Sequence, residues 1–197
     1  MRPWSKSRWA VTALLLLVTS CALFQRFGAG GPYKGRVIDA ETKQPLEGAV
    51  VLAVWKKSFP AGVHRAYGFL DAEEVLTDKG GTFVVGKKPP ISWISWIPGV
   101  YVEGPSITIF YPGYGFYPNY HTNPPLPPAG TEGLLEQMEK EGLTFELPSL
   151  KTREERRKVV QDLVLWTSIP REKMPNLIRL LNIERKATGL PPVSGTQ

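Results

Sequence analysis

The chain has 197 residues, room for one domain with appendages, and its 42% hydrophobic and 21% charged content is that of an ordinary globular protein. Glycine and proline supply 19 residues each, which disfavours a helix bundle and favours short strands joined by turns. The formal charge of +6 falls to +3, 21 basic against 18 acidic residues, once Arg2, Lys6 and Arg8 are set aside as part of a removable leader; that balance is too small and too scattered to point to nucleic acid.

Arg2, Lys6 and Arg8 precede an apolar run, Trp9 to Val18, that contains the four leucines Leu14 to Leu17. At about ten residues the run is half the roughly 20 needed to cross a hydrocarbon core. It has the length of the apolar core of a signal peptide. Three positions past the run stands Cys21, the sole cysteine, so no internal disulfide can form, and a leftover thiol in an exported protein needs a reason. Val18-Thr19-Ser20-Cys21 resembles the lipobox of bacterial lipoproteins: an aliphatic residue, two small ones, then cysteine. The resemblance implies that residues 1–20 are a signal peptide and that Cys21 becomes the first mature residue, carrying acyl chains as the one covalent non-protein group. Several chains are needed physically, because each buried CH₂ contributes about 0.8 kcal/mol and a single chain anchors only marginally. Ala22, not Asp, follows the cysteine; in Gram-negative lipoproteins this implies delivery to the outer membrane. Residues 21–32 then form a tether, with Gly28 to Pro32 its flexible part. The alternative is an uncleaved N-terminal helix that packs or anchors by itself.

Gly35 to Asp39 reads as a first strand, Asp39 to Gly48 as a turn-rich connection, and Ala49 to Trp55 as a strongly β-prone run. Asp39 and Thr42 can bond the backbone of the bend, Pro45 suits a bend and not a central ladder, and Gly48 opens the next strand. The pattern Asp39-x-x-Thr42-x-x-Pro45-Leu46-x-Gly48-Ala49-x-Val51 resembles the carboxypeptidase regulatory-like domains, which are transthyretin-like sandwiches. Thr77-Asp78-Lys79-Gly80-Gly81-Thr82-Phe83 is similar to that family's Thr-Asp-x-x-Gly-x-Phe hairpin, and Ile107 to Tyr111 followed by Gly113-Tyr114 to its late strand. The resemblance implies a mainly β fold, a seven-stranded transthyretin-like or Ig-like sandwich over residues 33–150. Aromatic and Pro-rich insertions fall at about 86–106 and 115–142, and the last strand at Leu143 to Leu147. It implies no peptidase activity, since in the carboxypeptidases this domain accompanies the catalytic one.

Residues 151–197 form a helical tail. Thr152-x-x-Glu155 is a capping box. Val159, Val160 and Leu163, with Trp166 or Thr167, recur at helical spacing, and Ile169-Pro170 breaks the run. Pro175 starts a second helix with Leu177, Ile178 and Leu181 on its apolar face, ended by Gly189, Pro191 and Pro192. The expectation is an αα-hairpin from about Lys151 to Thr188. Val50, Leu52 and Val54 point away from Ala49, Val51, Ala53 and Trp55, so this strand is apolar on both faces and needs cover on both. The hairpin or the long insertion is expected on its outer side; the alternative is a helical face that binds a partner.

Chemistry-bearing residues are sparse. His64 and His121 are far apart and neither stands at zinc-ligand spacing. No phosphate-binding glycine loop, Gly-x-Ser-x-Gly or His-Glu-x-x-His occurs. Paired carboxylates can hydrolyse glycosides, and two acidic clusters exist, Asp71-Glu73-Glu74 and Glu132-Glu136-Glu139-Glu141. The second reads as the solvated face of a short helix with Leu134, Leu135 and Met138 inside. Arg153, Arg156, Arg157 and Lys158 mix with Glu154 and Glu155 and read as a solvated helix face. The one local anomaly is aromatic density between Trp93 and Tyr120. These rings either cover the core or form a contact platform, with Trp93, Trp96, Tyr101, Tyr114 and Tyr117 the candidates, for sugar rings or for a surface part dry and part wet.

The expected function is a lipid-anchored, non-enzymatic cell-envelope protein, a structural or interaction module that meets the membrane through its anchor and envelope proteins or glycans through its domain, with no catalytic residues, metal or nucleic acid. The alternative is a glycan-binding module built on Trp93, Trp96 and the nearby tyrosines; a hydrolase using the carboxylate clusters is the third class.

Overall fold

The computed structural model describes residues 31–86, 97–119, 121–125, 132–163 and 169–193, so Cys21, Trp93, Trp96 and Tyr120 lie outside the described residues. Along the chain run β1 (Tyr33–Asp39), β2 (Val50–Ala61), β3 (His64–Leu76), β4 (Thr82–Val85), β5 (Tyr101–Phe110), α1 (Glu132–Lys140), β6 (Leu143–Leu147), α2 (Arg153–Asp162) and α3 (Pro175–Thr188), with a 3-10 turn at Arg171–Lys173. The strands form two three-stranded sheets, ordered β4-β1-β6 and β3-β2-β5. The protein is mainly β, and six strands, not seven, are present among the described residues.

The two sheets share one apolar core. Val37, Phe83, Val85, Phe145 and Leu147 enter it from the first sheet, and Val51, Ala53, Trp55, Ile107 and Ile109 from the second. Leu134, Leu135 and Met138 of α1 close it, which leaves the acidic side chains of that helix on the solvated side. The opposite face of β2, Val50, Leu52 and Val54, belongs to a second core with Phe110, Phe116, Val159, Val160, Leu177, Leu180 and Leu181. The C-terminal helices therefore cover the outer face of the β3-β2-β5 sheet, as the double-sided apolar pattern of β2 requires. Burial of Val50, Leu52 and Val54 stabilises this docking by about 1.5–3 kcal/mol per side chain.

Local signals account for the ends of these elements. The Thr152 side chain accepts from the Glu155 N–H while the Glu155 carboxylate accepts from the Thr152 N–H, a complete capping box. Pro175 lies in the first turn of α3, and Gly189, at φ 76°, ends it in the left-handed conformation. In the Asp39 bend, Oδ1 of that residue accepts from the N–H groups of Glu41 (2.7 Å) and Thr42 (2.8 Å).

Three expectations change. The Thr77–Phe83 block turns the chain as its residues suggest: Asp78 Oδ1 accepts from the N–H groups of Gly80 and Thr82, both at 2.8 Å, Gly81 adopts φ 73°, and Phe83 is buried. It is not a hairpin, however. It joins β3 of one sheet to β4 of the other, so it is a corner between layers. The strand read as Ala49 to Trp55 runs on to Ala61 and pairs with the whole of β3, for which the sequence carries no alternating signal. Its distal half mixes exposed and half-buried residues without alternation, so no apolar periodicity marks it. At Trp55/Lys56 the register shifts from Trp55↔Asp71 to Lys56↔Phe69, and the extra Leu70 is a bulge that breaks the period further. Lastly, β5 begins at Tyr101, six residues before the expected Ile107, because Lys57 and Ser58 pair with Val102 and Tyr101.

Removing residues 152–197 uncovers Val50, Leu52, Val54, Phe110 and Phe116. The truncated chain is expected to melt at a lower temperature and to aggregate; thermal denaturation with light scattering checks this, and an unchanged melting temperature contradicts it.

Candidate interaction surface

The structure does not bring the three described candidate tyrosines together. Tyr117 is 1% exposed. Its ring meets Phe145 edge-on at 4.9 Å inside the shared core. Its hydroxyl has no hydrogen-bond partner among the described residues, and burial pushes its pKa up to about 12. Tyr114 is half-buried, and its hydroxyl donates to Asp39 Oδ2 at 2.8 Å. That bond ties the segment after β5 to the bend after β1. Burial first, then the bond to Asp39, push the Tyr114 hydroxyl up to about 12. Burial pushes the Asp39 carboxyl upward as well, but the Thr42 N–H, the Tyr114 hydroxyl and the Glu41 N–H together hold it below the usual carboxylate range. Only Tyr101 is an exposed ring, at 56%, with the Arg65 guanidinium 4.6 Å above its centroid.

The carboxylates of the Asp71-Glu73-Glu74 cluster diverge to three different contacts. Asp71 Oδ1 pairs with Lys173 Nζ at 2.9 Å. Glu73 Oε1 accepts from the Gly86 N–H at 3.3 Å. Glu74 accepts from the N–H groups of Asn176 (2.7 Å) and Leu177 (2.5 Å), and so caps the start of α3 from another element. Helix α3 has no side-chain cap of its own, because Met174 holds its cap position. A carboxylate there satisfies orphan N–H donors and faces the positive end of the helix dipole. Among the described residues no group of three or more His, Cys, Asp or Glu side chains is placed to hold a metal ion.

The basic run of α2 divides. Arg156 turns inward and forms a fork with Glu184 of α3, Nε to Oε1 and the second nitrogen to Oε2, both at 2.6 Å. The Glu184 side chain is 1% exposed and also accepts from the Gly113 N–H at 3.1 Å, so one buried carboxylate joins α2, α3 and the loop after β5. Only its partner Arg156 was readable as part of a basic run, and no local pattern pairs residues 28 positions apart. Arg153, Arg157 and Lys158 remain outside, around an open groove of about 670 Å³ at the end of α3, together with Glu154.

A second exposed region lies at the far end of β2 and β3. Gly62, at φ 66°, and Val63 make a two-residue turn between Ala61 and His64. Phe59, Val63, Tyr67, Ile97 and Tyr101 are exposed there. Tyr67 and Tyr101 flank Ser58 in register, and the Arg65 guanidinium donates to the Ser58 hydroxyl at 2.8 Å on the same face. Of these residues only Tyr101 was marked by aromatic density in the sequence. Among the described residues no helix is long and apolar enough to cross a membrane.

No family model, no curated protein and no solved structure matches this chain.

Two predictions test the internal contacts. Glu184→Gln is expected to destabilise the protein by about 2–4 kcal/mol, because the fork loses its charge and Arg156 its partner; denaturant unfolding measures it, and a loss below 0.5 kcal/mol (order of magnitude) is incompatible with the fork. Tyr114→Phe is expected to cost about 1–3 kcal/mol at neutral pH, since Asp39 Oδ2 loses its donor. The pH limbs have defined signs. The depressed Asp39 carboxyl contributes stability above the usual carboxylate range that is lost as pH falls through its folded value. The raised Tyr114 hydroxyl contributes stability below its ordinary value of 10 that is lost as pH rises towards about 12. Melting temperatures followed across pH should therefore fall less steeply in both limbs for Tyr114→Phe than for the parent.

Proposed function

We propose that this chain is a lipid-anchored interaction module of the cell envelope that performs no chemistry. One observation carries the reading: a positive leader and a leucine-rich run of signal-peptide length end at Val18-Thr19-Ser20-Cys21, whose cysteine is the only one in the chain. The domain's first strand begins at Tyr33, twelve residues beyond Cys21, which leaves a short tether between lipid and fold. In this reading the two sheets are a transthyretin-like sandwich of the carboxypeptidase regulatory type. The three sequence blocks then supply the Asp39 bend, the Asp78 corner and the strand before Tyr114.

The geometry favours contact over catalysis in a specific way. Asp71, Glu73 and Glu74, the carboxylates a hydrolase reading would use, bond Lys173, Gly86 and the start of α3. The glycan-binding alternative keeps Tyr101 as the one exposed ring among the three described tyrosines chosen for it. What the described surface presents is an exposed ribbon of aromatic, apolar and basic side chains, and surfaces of that composition recognise partners that are part dry and part wet.

Intact mass spectrometry of the protein from its membrane fraction, beside Cys21→Ala, tests the anchor. The expected mature chain begins at Cys21 with a mass increment equal to its acyl chains, lost in the variant. A chain that still begins at Met1 without the increment overturns the reading.

A further inference from the structure

The Gly86 N–H at the end of β4 bonds the Glu73 carboxylate, and Glu73 stands opposite Ala53, so the β4-β1-β6 sheet ends near the middle of β2. Trp55 is the last core residue of β2, and six further residues, Lys56 to Ala61, run on beyond it, about 20 Å at ~3.3 Å per residue, with β5 alongside as far as Ser58. Among the described residues, five of the eight exposed large apolar side chains are at this one end: Phe59, Val63, Tyr67, Ile97 and Tyr101. Val63, at the turn, is 94% exposed. From Lys56 to Phe69 the ribbon carries Lys56, Lys57 and Arg65 and no acidic residue. Glu103 on β5 is the carboxylate beside it, opposite Lys56.

The direction of chain entry selects the occupant. Tyr33 pairs with Val85, next to Gly86, whereas Asp39 lies with the bends and the Asp78 corner at the other end of the sheet. The chain therefore enters β1 on the side from which the ribbon projects. Eleven residues lie between Cys21 and Tyr33, and that stretch spans at most about 40 Å fully extended, roughly twice the length of the projecting ribbon. On the anchor reading, a lipid on Cys21 keeps this end of the molecule within reach of the bilayer.

We infer that the turn end of the β2–β3 ribbon is a lipid-contacting surface seated in the interfacial layer of the bilayer that carries the anchor. The inference rests on the anchor reading for the nearness of that bilayer. Tyr67 and Tyr101 have the amphipathic rings favoured at headgroup level, Val63 and Phe59 supply apolar area below it, and the basic side chains meet anionic headgroups. The backbone tolerates the low-dielectric boundary because the turn strands pair with each other from Ala61↔His64 inward.

The test places the photoreactive residue p-benzoylphenylalanine at Val63 or, at the far end, at Ile183, which is also exposed at 49%. Each full chain is irradiated in the membranes of cells that make it, and its mass is then measured. The expected result is a gain of one phospholipid mass at position 63 and none at 183. A protein adduct at 63, no adduct at 63, or equal lipid adducts at both positions overturns the inference. The mass at Cys21 in the same samples reports the anchor separately, so a lipidated chain without a lipid adduct at 63 refutes the ribbon alone. An unlipidated chain with the adduct refutes the anchor and leaves the ribbon supported.

Discussion

Strand β2 is apolar on both faces, and the rest of the molecule follows from the need to dry both. Val51, Ala53 and Trp55 point into the core shared with the β4-β1-β6 sheet, while Val50, Leu52 and Val54 point out of it. A three-stranded sheet left bare on either side would expose this stripe to water. The first sheet and α1 cover the inner face; α2 and α3 cover the outer one. The C-terminal helices are thus the third layer of the domain, with Val159, Val160, Leu177, Leu180 and Leu181 committed to it.

The layers are held in place by polar groups that act between elements distant in sequence. Glu74 of β3 caps α3, Glu184 of α3 receives both Arg156 of α2 and the Gly113 N–H, and Tyr114 reaches Asp39. Each satisfies a group that the fold removes from water, and the cost of leaving such a group unpaired exceeds the net gain of an average hydrogen bond. The Glu184 and Tyr114 contacts converge on the end of the molecule where β5 leaves the sheet and the Asp39 bend begins, while Glu74 fixes the other end of α3. That end is occupied by its own cross-links.

The opposite end is different in kind. Beyond Trp55 no β2 side chain belongs to either apolar core; β5 stays paired with β2 as far as Ser58, and past that β2 and β3 go on as a two-stranded ribbon that exposes Phe59, Val63 and Tyr67. Phe59, Val63, Tyr67 and Tyr101 belong to neither apolar core, and Arg65 lies over the Tyr101 ring. A rigid paired ribbon presents such groups at little entropic cost, which suits contact with an extended surface better than with a small ligand in a cleft.

Patterns confined to a few neighbouring residues were decided by the sequence alone: the bend at Asp39, the turn at Asp78, the capping box at Thr152, the stop at Gly189, the last strand at Leu143–Leu147 and the double-sided apolar run of β2. Each depends on backbone bonds or a side-chain period within one element, so residue order suffices. The tertiary structure decided what each element faces. Tyr117 and Tyr101 are the same residue type in one aromatic stretch, yet one is sealed in the core and the other is exposed, because only the sheet register sets which side each occupies. The strand β3 has no readable period, since a strand that is mostly half-buried or exposed and is interrupted by a bulge imposes none; its existence depends on the partner strand that supplies its hydrogen bonds. The roles of Glu74 and Glu184 likewise required the third layer to be in place, because a carboxylate's partner across a hundred residues, or across two helices, is set by packing and not by spacing.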